Sequence, residues 1–367
     1  MKVCFLTNYC PPYRLPAFEA LFKQDNVLFM FTNDGSKRGW NNFGTIRYNL
    51  CFSKFVLPLK LLRADYDVLI SNFPTWSTLF EFLISKLRRK RLIFWVEEWH
   101  QPRTLTRKTL TPILKFLVRN CDAIVACGSA ATAHMMDYGA TSEKIFVAPN
   151  ASWVEVPPKH ASRARISASS DKFTILYLGR LVRYKGVNYL IKAFSKLRKD
   201  RDDVKLLIVG DGDFKNSLEG LVRELGTLNI EFMGACDPKD KFYYYDICDV
   251  FVLPSVWCPS YCEAWGLVLN EAMQFGKPII STDAVGSAFD LIKDGVNGFL
   301  VKNGDVESLY QALKRILGDP KLAQTMGAES KKIVEEGFTY ERMIRGFKDA
   351  ITFVETARKE SNSERYW

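Results

Sequence analysis

Short apolar runs alternate with longer amphipathic stretches along the whole chain. In the first half the runs are VCFLTNY from Val3, VLFMFT from Val27, DVLIS from Asp67, RLIFWV from Arg91, AIVACG from Ala123 and KIFVAP from Lys144. Between them, helical periodicity falls on Leu15 to Phe22, Thr78 to Leu87 and Pro112 to Arg119. Strands of five or six residues separated by helical patterns predict a parallel, doubly wound α/β sheet, because strands covered on both faces read as unbroken apolar runs.

Around residues 156–171 the text becomes VPPKHASRARISASSD, with two prolines and many small polar residues that bury little, which predicts a linker. A second alternating series follows: FTILYLG, VKLLIVG, IEFMG, DVFVLPS, PIIST and GFLV, with helical patterns at Tyr189–Lys199, Ser217–Leu225, near Tyr243, and at Leu267–Phe275. The expected organisation is therefore two Rossmann-like domains, 1–160 and 161–340, facing a cleft, and a helical tail over 341–367 whose last residues, KESNSERYW, look frayed. In such sheets ligands sit beyond the carboxyl ends of the strands, so the turns after the strands carry the candidate chemistry.

Composition changes this picture in few places. With 47% apolar residues a large core is available, and nine scattered cysteines lack the dense spacing of a secreted disulfide scaffold, which favours a reducing cytosol. The opening MKVCFLTNY enters a strand directly and does not read as a signal peptide, and no apolar stretch reaches membrane-spanning length, so a soluble or surface-bound chain is expected. The net charge of +10 is unevenly placed: residues 1–160 hold 21 Lys+Arg against 12 Asp+Glu, leaving 30 and 29 for the rest. That asymmetry, with aromatics interleaved in CPPYRLPAFEALFK, RYNLCFSKFVLPLKLLR and KLRRKRLIFW, predicts an acidic partner for the first half, with peripheral contact to an anionic membrane ahead of nucleic acid.

Two turns of the second half stand out. After FTILYL comes GRLVRYKG, which puts Arg180 and Lys185 on one short loop before a helix starting near Val187, a cradle for a diphosphate because two cations and the helix dipole act on one anion. After VFVLPS comes VWCPSYCEAWGLVLNEAMQFGKP, with Glu263 in the approach to a helix and Glu271 inside it. Carboxylates at these positions accept from sugar and ribose hydroxyls, while backbone N–H groups near Gly266 and Leu267 receive phosphate oxygens.

Taken together, GRLVRYKG, VGDGD, EFMG, PS, EAWGLVLNEAMQFGKPII and DGVNGFLV, in this order and spacing over residues 173 to about 318, resemble the family 4 glycosyltransferases of the GT-B fold. The resemblance implies a retaining transfer from a nucleoside diphosphate sugar to a glycan or lipid-linked acceptor, in polysaccharide or glycolipid assembly at the cytoplasmic side of a membrane. It further implies that Arg180 and Lys185 stabilise the leaving diphosphate, that Glu263 contacts the donor sugar and Glu271 the ribose, and that Gly179, Gly210, Gly266 and Leu267 line the phosphates while Met233 and Gly234 border the base.

The first domain departs from the family pattern. Where many members carry a Gly-Gly loop after the first strand, this chain has NYCPPYRLPAF, so Tyr13 and Arg14 are the candidates on that side. FWVEEWHQPR places Glu97 and Glu98 where the family's histidine is expected and His100 just beyond, leaving all three as candidates for acceptor contact or catalysis. Asp211 and Asp213 in VGDGD read as part of a nucleotide loop, so no metal and no cofactor is expected, and Cys258 and Cys262 lack the partners of a zinc site. The competing readings are an epimerase or hydrolase on the same fold, which would act on donor alone, and a catalytically silent sugar-nucleotide-binding protein.

Overall fold

The computed structural model of the chain describes residues 1–22, 27–33, 48–50, 56–155, 172–259 and 261–363. The expected linker at 156–171, with His160, lies outside the described residues, as do Cys51 and part of the basic stretch 47–63. The chain forms two compact units: Met1–Ala151 together with Thr339–Trp367, and Ser152–Phe338. The sequence pattern puts the boundaries near 160 and 340 and sets the tail apart. In the structure the last helix instead completes the first unit, because its apolar face is covered there.

In the first unit the elements run β1 (Val3–Thr7), α1 (Leu15–Phe22), β2 (Val27–Phe31), β3 (Tyr48–Leu50), α2 (Val56–Arg63), β4 (Val68–Phe73), α3 (Thr78–Leu87), β5 (Arg91–Val96), α4 (Leu105–Asn120), β6 (Ala123–Ala126), α5 (Ser129–Asp137) and β7 (Ile145–Val147). The strands form one parallel sheet in the order β3-β2-β1-β4-β5-β6-β7. Right-handed crossovers place α2, α3 and α4 on one face, because β3→β4, β4→β5 and β5→β6 all step in the same direction, and α1 on the other. On that second face Phe5, Phe18, Phe29 and Trp95 pack with Phe347 of the C-terminal helix, with Phe5 to Phe347 ring centroids 5.4 Å apart.

The second unit runs β8 (Phe173–Leu178), α6 (Val187–Asp200), β9 (Val204–Val209), α7 (Lys215–Leu225), β10 (Ile230–Gly234), α8 (Lys241–Ile247), β11 (Val250–Leu253), α9 (Val268–Gln274), β12 (Ile279–Thr282), α10 (Ala288–Leu291), β13 (Gly298–Val301), α11 (Val306–Gly318) and α12 (Pro320–Gly337), after which α13 (Tyr340–Ser363) returns to the first unit. Its parallel sheet has the order β10-β9-β8-β11-β12-β13. The strand order reverses between β8 and β11, so the loops that follow these two strands leave in opposite directions and open a crevice between them.

Some helices differ from the pattern. The helix expected at Pro112–Arg119 begins seven residues earlier, at Leu105, where Thr104 accepts from the Arg107 N–H at 3.2 Å and caps it; Pro112 sits within the helix. The expected tail is the second of two helices separated at Phe338–Thr339, the first of which, Pro320–Gly337, is capped by Asp319 through the Lys321 and Leu322 amides at 3.1 Å. The second continues through Ser363, five residues into the segment expected to fray.

Candidate active site

The β8 loop is built around a glycine. Gly186 has φ +68°, and a methyl group there would lie 1.9 Å from the Pro254 carbonyl oxygen, so only glycine lets the loop pass this close to the one after β11. Val256 N–H donates to the Tyr184 carbonyl at 2.7 Å and fastens the two loops together. Across this seam the Lys185 ammonium donates to a Glu263 carboxylate oxygen, both side chains being about one-tenth exposed. The pair sits at the point where the strand order reverses.

Glu263 is held from the other side as well, since Gly286 N–H donates to its carbonyl at 2.9 Å. Three phenols surround the pair. Tyr177 donates to the Arg180 carbonyl at 2.7 Å, Tyr184 accepts from the Arg180 guanidinium, and the Tyr184 and Tyr261 rings lie 4.5 Å apart. Burial, and after it the Glu263 charge, pushes all three phenols above their ordinary range, so they stay neutral at physiological pH. Arg180 itself is exposed, so a charged fork faces water beside a buried ion pair.

Glu271 is reached by donors the sequence did not announce. Lys241 on α8 donates to both carboxylate oxygens at 3.0 Å, Tyr245 donates at 2.7 Å and Ser152 at 3.0 Å. These contacts fill the carboxylate's acceptor positions, so a ribose hydroxyl gains one only by displacing a donor, of which Lys241 is the most exposed. Glu263 and Glu271 therefore act separately, one as the partner of Lys185 and the other as the anchor of α8 to α9.

The glycines line up along the carboxyl edge of the sheet. Gly179 N–H donates to Val209 O at 2.9 Å, and Gly210 N–H donates to Gly234 O at 2.7 Å, which joins the ends of β8, β9 and β10. Met233 is exposed on edge strand β10. Gly266 precedes α9, whose N-cap Leu267 makes no side-chain capping bond, while the Leu269 amide donates to the Gly266 carbonyl at 2.9 Å. Asp211 accepts from Gly212 N–H at 2.8 Å within its own turn, and among the described residues no group of three or more His, Cys, Asp or Glu is placed to hold a metal ion.

The first-unit candidates form pairs of their own. Arg14 is buried, ion-paired to Glu97 and stacked 4.4 Å over the Trp95 ring, while Glu97 also accepts from Asn150 at 2.7 Å. Tyr13 accepts at its backbone carbonyl from Tyr340 at 2.8 Å. Glu98 pairs with Arg107, and His134 lies 3.4 Å from the same carboxylate. His100 is half-buried beside Trp99, and burial, followed by Arg103 and His134, holds its pKa below the usual 6.5. Arg107 and Asn150 carried no signal in the sequence; Arg107 lies in the first turn of the helix just after the EEWH loop, while Asn150 and His134 come from farther along the chain.

Residues 158–333, nearly the whole second unit, match the family described as glycosyl transferases group 1. The second unit is thus similar to the group 1 glycosyl transferases. Over 197 residues it is 33% identical to an uncharacterised glycosyltransferase of Methanocaldococcus jannaschii, covering 53% of this chain and 48% of that protein. Over 170 residues it is 31% identical to the capsular polysaccharide biosynthesis glycosyltransferase CapM of Staphylococcus aureus, covering 46% and 43%. The chain thus spans about half the length of these curated relatives. The crystal structure of Anabaena HepE in complex with UDP and glucose superposes with a TM-score of 0.76 over 96% of this chain and 99% of that one at 20% identity, a likeness of fold. Two parallel-sheet α/β units of the GT-B type are therefore what this chain has.

Proposed function

We propose that this chain is a retaining hexosyltransferase that moves a sugar from a nucleoside diphosphate donor to a hydroxyl of a glycan or lipid-linked acceptor, in polysaccharide or glycolipid assembly at the cytoplasmic face of a membrane. The observation that carries the reading is the buried Lys185–Glu263 pair with the exposed Arg180 guanidinium beside it, at the reversal of strand order in the second sheet. The relative named for capsular polysaccharide biosynthesis and the neighbour containing UDP and glucose support the substrate classes.

In this reading the bond between the sugar's anomeric carbon and the diphosphate oxygen breaks with its electron pair going to the diphosphate. The acceptor oxygen bonds to the same carbon on the face just vacated, and its proton passes to a departing phosphate oxygen. Negative charge grows on the diphosphate, and that is where Arg180, Lys185 and the amides at Gly266 and Leu267 act; fixed cations at a developing anion are the largest lever such a site has. Glu263 holds Lys185 in place and touches the donor sugar, Glu271 takes the ribose after Lys241 gives way, Gly179 and Gly210 leave room for the phosphates, and Met233 and Gly234 border the base. No metal or other cofactor enters the scheme. On the first unit, His100, kept neutral by burial, is the candidate to touch the acceptor, with Tyr13, Arg14, Glu97 and Glu98 shaping the surroundings.

The test is a thermal-shift screen against nucleoside diphosphates and their sugar conjugates, since a ligand at about 100 times its dissociation constant adds roughly 2.7 kcal/mol of stability. A shift with one base, lost in Arg180→Ala, is the expected result, followed by transfer to a glycan acceptor. No shift with any of them would overturn the reading, and consumption of donor without acceptor would convert it to a hydrolase or epimerase.

A further inference from the structure

Helix α3 is apolar on its outer face as well as its inner one. It buries Thr78, Glu81, Phe82, Ile84 and Ser85, with Glu81 0% exposed, and still presents Leu79, Phe80, Leu83 and Leu87 to solvent, Leu83 at 53% and Leu87 at 77% exposure. Leu79, Leu83 and Leu87 are four apart and form one line along the helix. Helix α4 buries only Leu114, Leu117 and Val118 and leaves Leu110, Ile113 and Phe116 exposed. The two stripes join, because Phe82 of α3 and Phe116 of α4 pack with ring centroids 5.8 Å apart. Arg88 extends the surface to α2, donating to the Leu61 and Ala64 carbonyls at 2.7 and 2.8 Å, and α2 exposes Leu59.

A monomer rarely leaves so continuous an apolar surface in water. The charge around it is one-sided. Over residues 56–63, 78–90 and 105–120 there are ten lysines and arginines and one acid, the buried Glu81. Apolar side chains on helices lying in one layer, flanked by cations with long aliphatic stems, have the form that seats on a negatively charged lipid interface. No described helix is long and apolar enough to cross a membrane, so the chemistry is that of a face lying on the surface. A second copy of the chain does not suit it, because the same cations would meet head-on.

We propose that the α2–α4 face of the first unit docks on an anionic lipid bilayer. The exposed leucines of α3 and Phe116 enter the headgroup boundary, and Lys60, Lys86, Lys108 and Lys115 meet the lipid phosphates. The proposal deepens the membrane-face part of the proposed function but stands apart from the donor site, which lies in the second unit, so its failure would leave donor binding and sugar transfer untouched.

The test is sedimentation of the full chain with phosphatidylcholine vesicles and with vesicles containing about 30% phosphatidylglycerol, at low and high salt, because anionic lipid attracts surface cations and salt screens that attraction. The chain is expected to pellet with the anionic vesicles at low salt and to leave them at high salt. Leu83→Gln with Leu87→Gln, and separately Lys108→Glu with Lys115→Glu, should each lower the bound fraction at least tenfold with melting temperature preserved. The charge pair replaces one exposed and one half-buried side chain, neither of them in the core, and serves if the leucine pair misfolds. No pelleting of the wild type, or undiminished pelleting of the lysine variant, would overturn the proposal. So would a lipid-free dimer in sedimentation velocity that Leu83→Gln abolishes, which would make the face a contact between copies.

Discussion

Replacing Lys185 by methionine tests the centre of the donor site in a way that separates folding from chemistry. The substitution keeps the side chain's length and leaves the Glu263 carboxylate buried without its cation. Removing one member of a buried pair costs about 3–5 kcal/mol, and the residual one-tenth exposure of both side chains places this case near 3. For a unit the length of Ser152–Phe338, each kcal/mol moves the melting temperature by about 2–4 °C, so calorimetry should show a fall of roughly 6–12 °C. Glu263→Gln in the same background removes the stranded charge and should restore most of that loss. Transfer of radiolabelled sugar from the donor should not recover: both single variants and the double variant are expected at least ~100-fold below wild type, the scale for losing a charge contact to the transition state. A double variant that regains activity along with stability would refute the reasoning, for the pair would then be scaffold. So would a Lys185→Met protein that melts with the wild type.

Three further outcomes follow from the geometry. Arg180 is exposed, so Arg180→Ala should leave the melting temperature within about 2 °C and still cut turnover ~100-fold in the same assay; an active variant removes it from the site. Glu271→Ala should raise KM for the donor more than it lowers kcat, because its contact is to a part of the donor that does not react, and a pure kcat effect in steady-state kinetics would contradict this. Glu81 is fully buried with hydroxyl donors from Ser71 and Ser77, and burial pushes its pKa up to about 7 from 4.5. The folded state therefore holds this proton more tightly than the unfolded chain. Its contribution is complete below pH ~4.5 and is lost, by about 3 kcal/mol, as pH rises through ~7. Glu81→Gln, which mimics the protonated acid, should flatten that part of the stability curve between about pH 5 and 8 in thermal melts, and an unchanged slope would reject the assignment.

The sheets were legible because parallel strands covered on both faces carry their signal locally: RLIFWV and VKLLIV are buried almost throughout. β3 was not legible, since YNL is short and half exposed at the sheet edge. The start of α4 was obscured by Pro112, a residue that normally opens a helix and here sits inside one because Thr104 caps it earlier. At the site, Arg180, Lys185, Glu263 and Gly266 could be read because each lies in the loop just after its own strand. The donors to Glu271 could not, as Lys241, Tyr245 and Ser152 lie 30, 26 and 119 positions away and only the fold brings them together. The Arg14–Glu97 pair was hidden for the same reason, its members 83 positions apart.

The return of α13 fixes an order of assembly on the ribosome. The second unit is continuous in the chain and is fully synthesised before the residues that finish the first unit are made. Met343 and Phe347 belong to the same buried cluster as Phe5, Phe29 and Trp95, so until they emerge the first sheet has one aromatic face open to water. Nascent chains that hold an unfinished apolar face are the ones that aggregate or recruit chaperones. The first unit thus closes only after the second has been made, and its safe maturation depends on translation reaching α13.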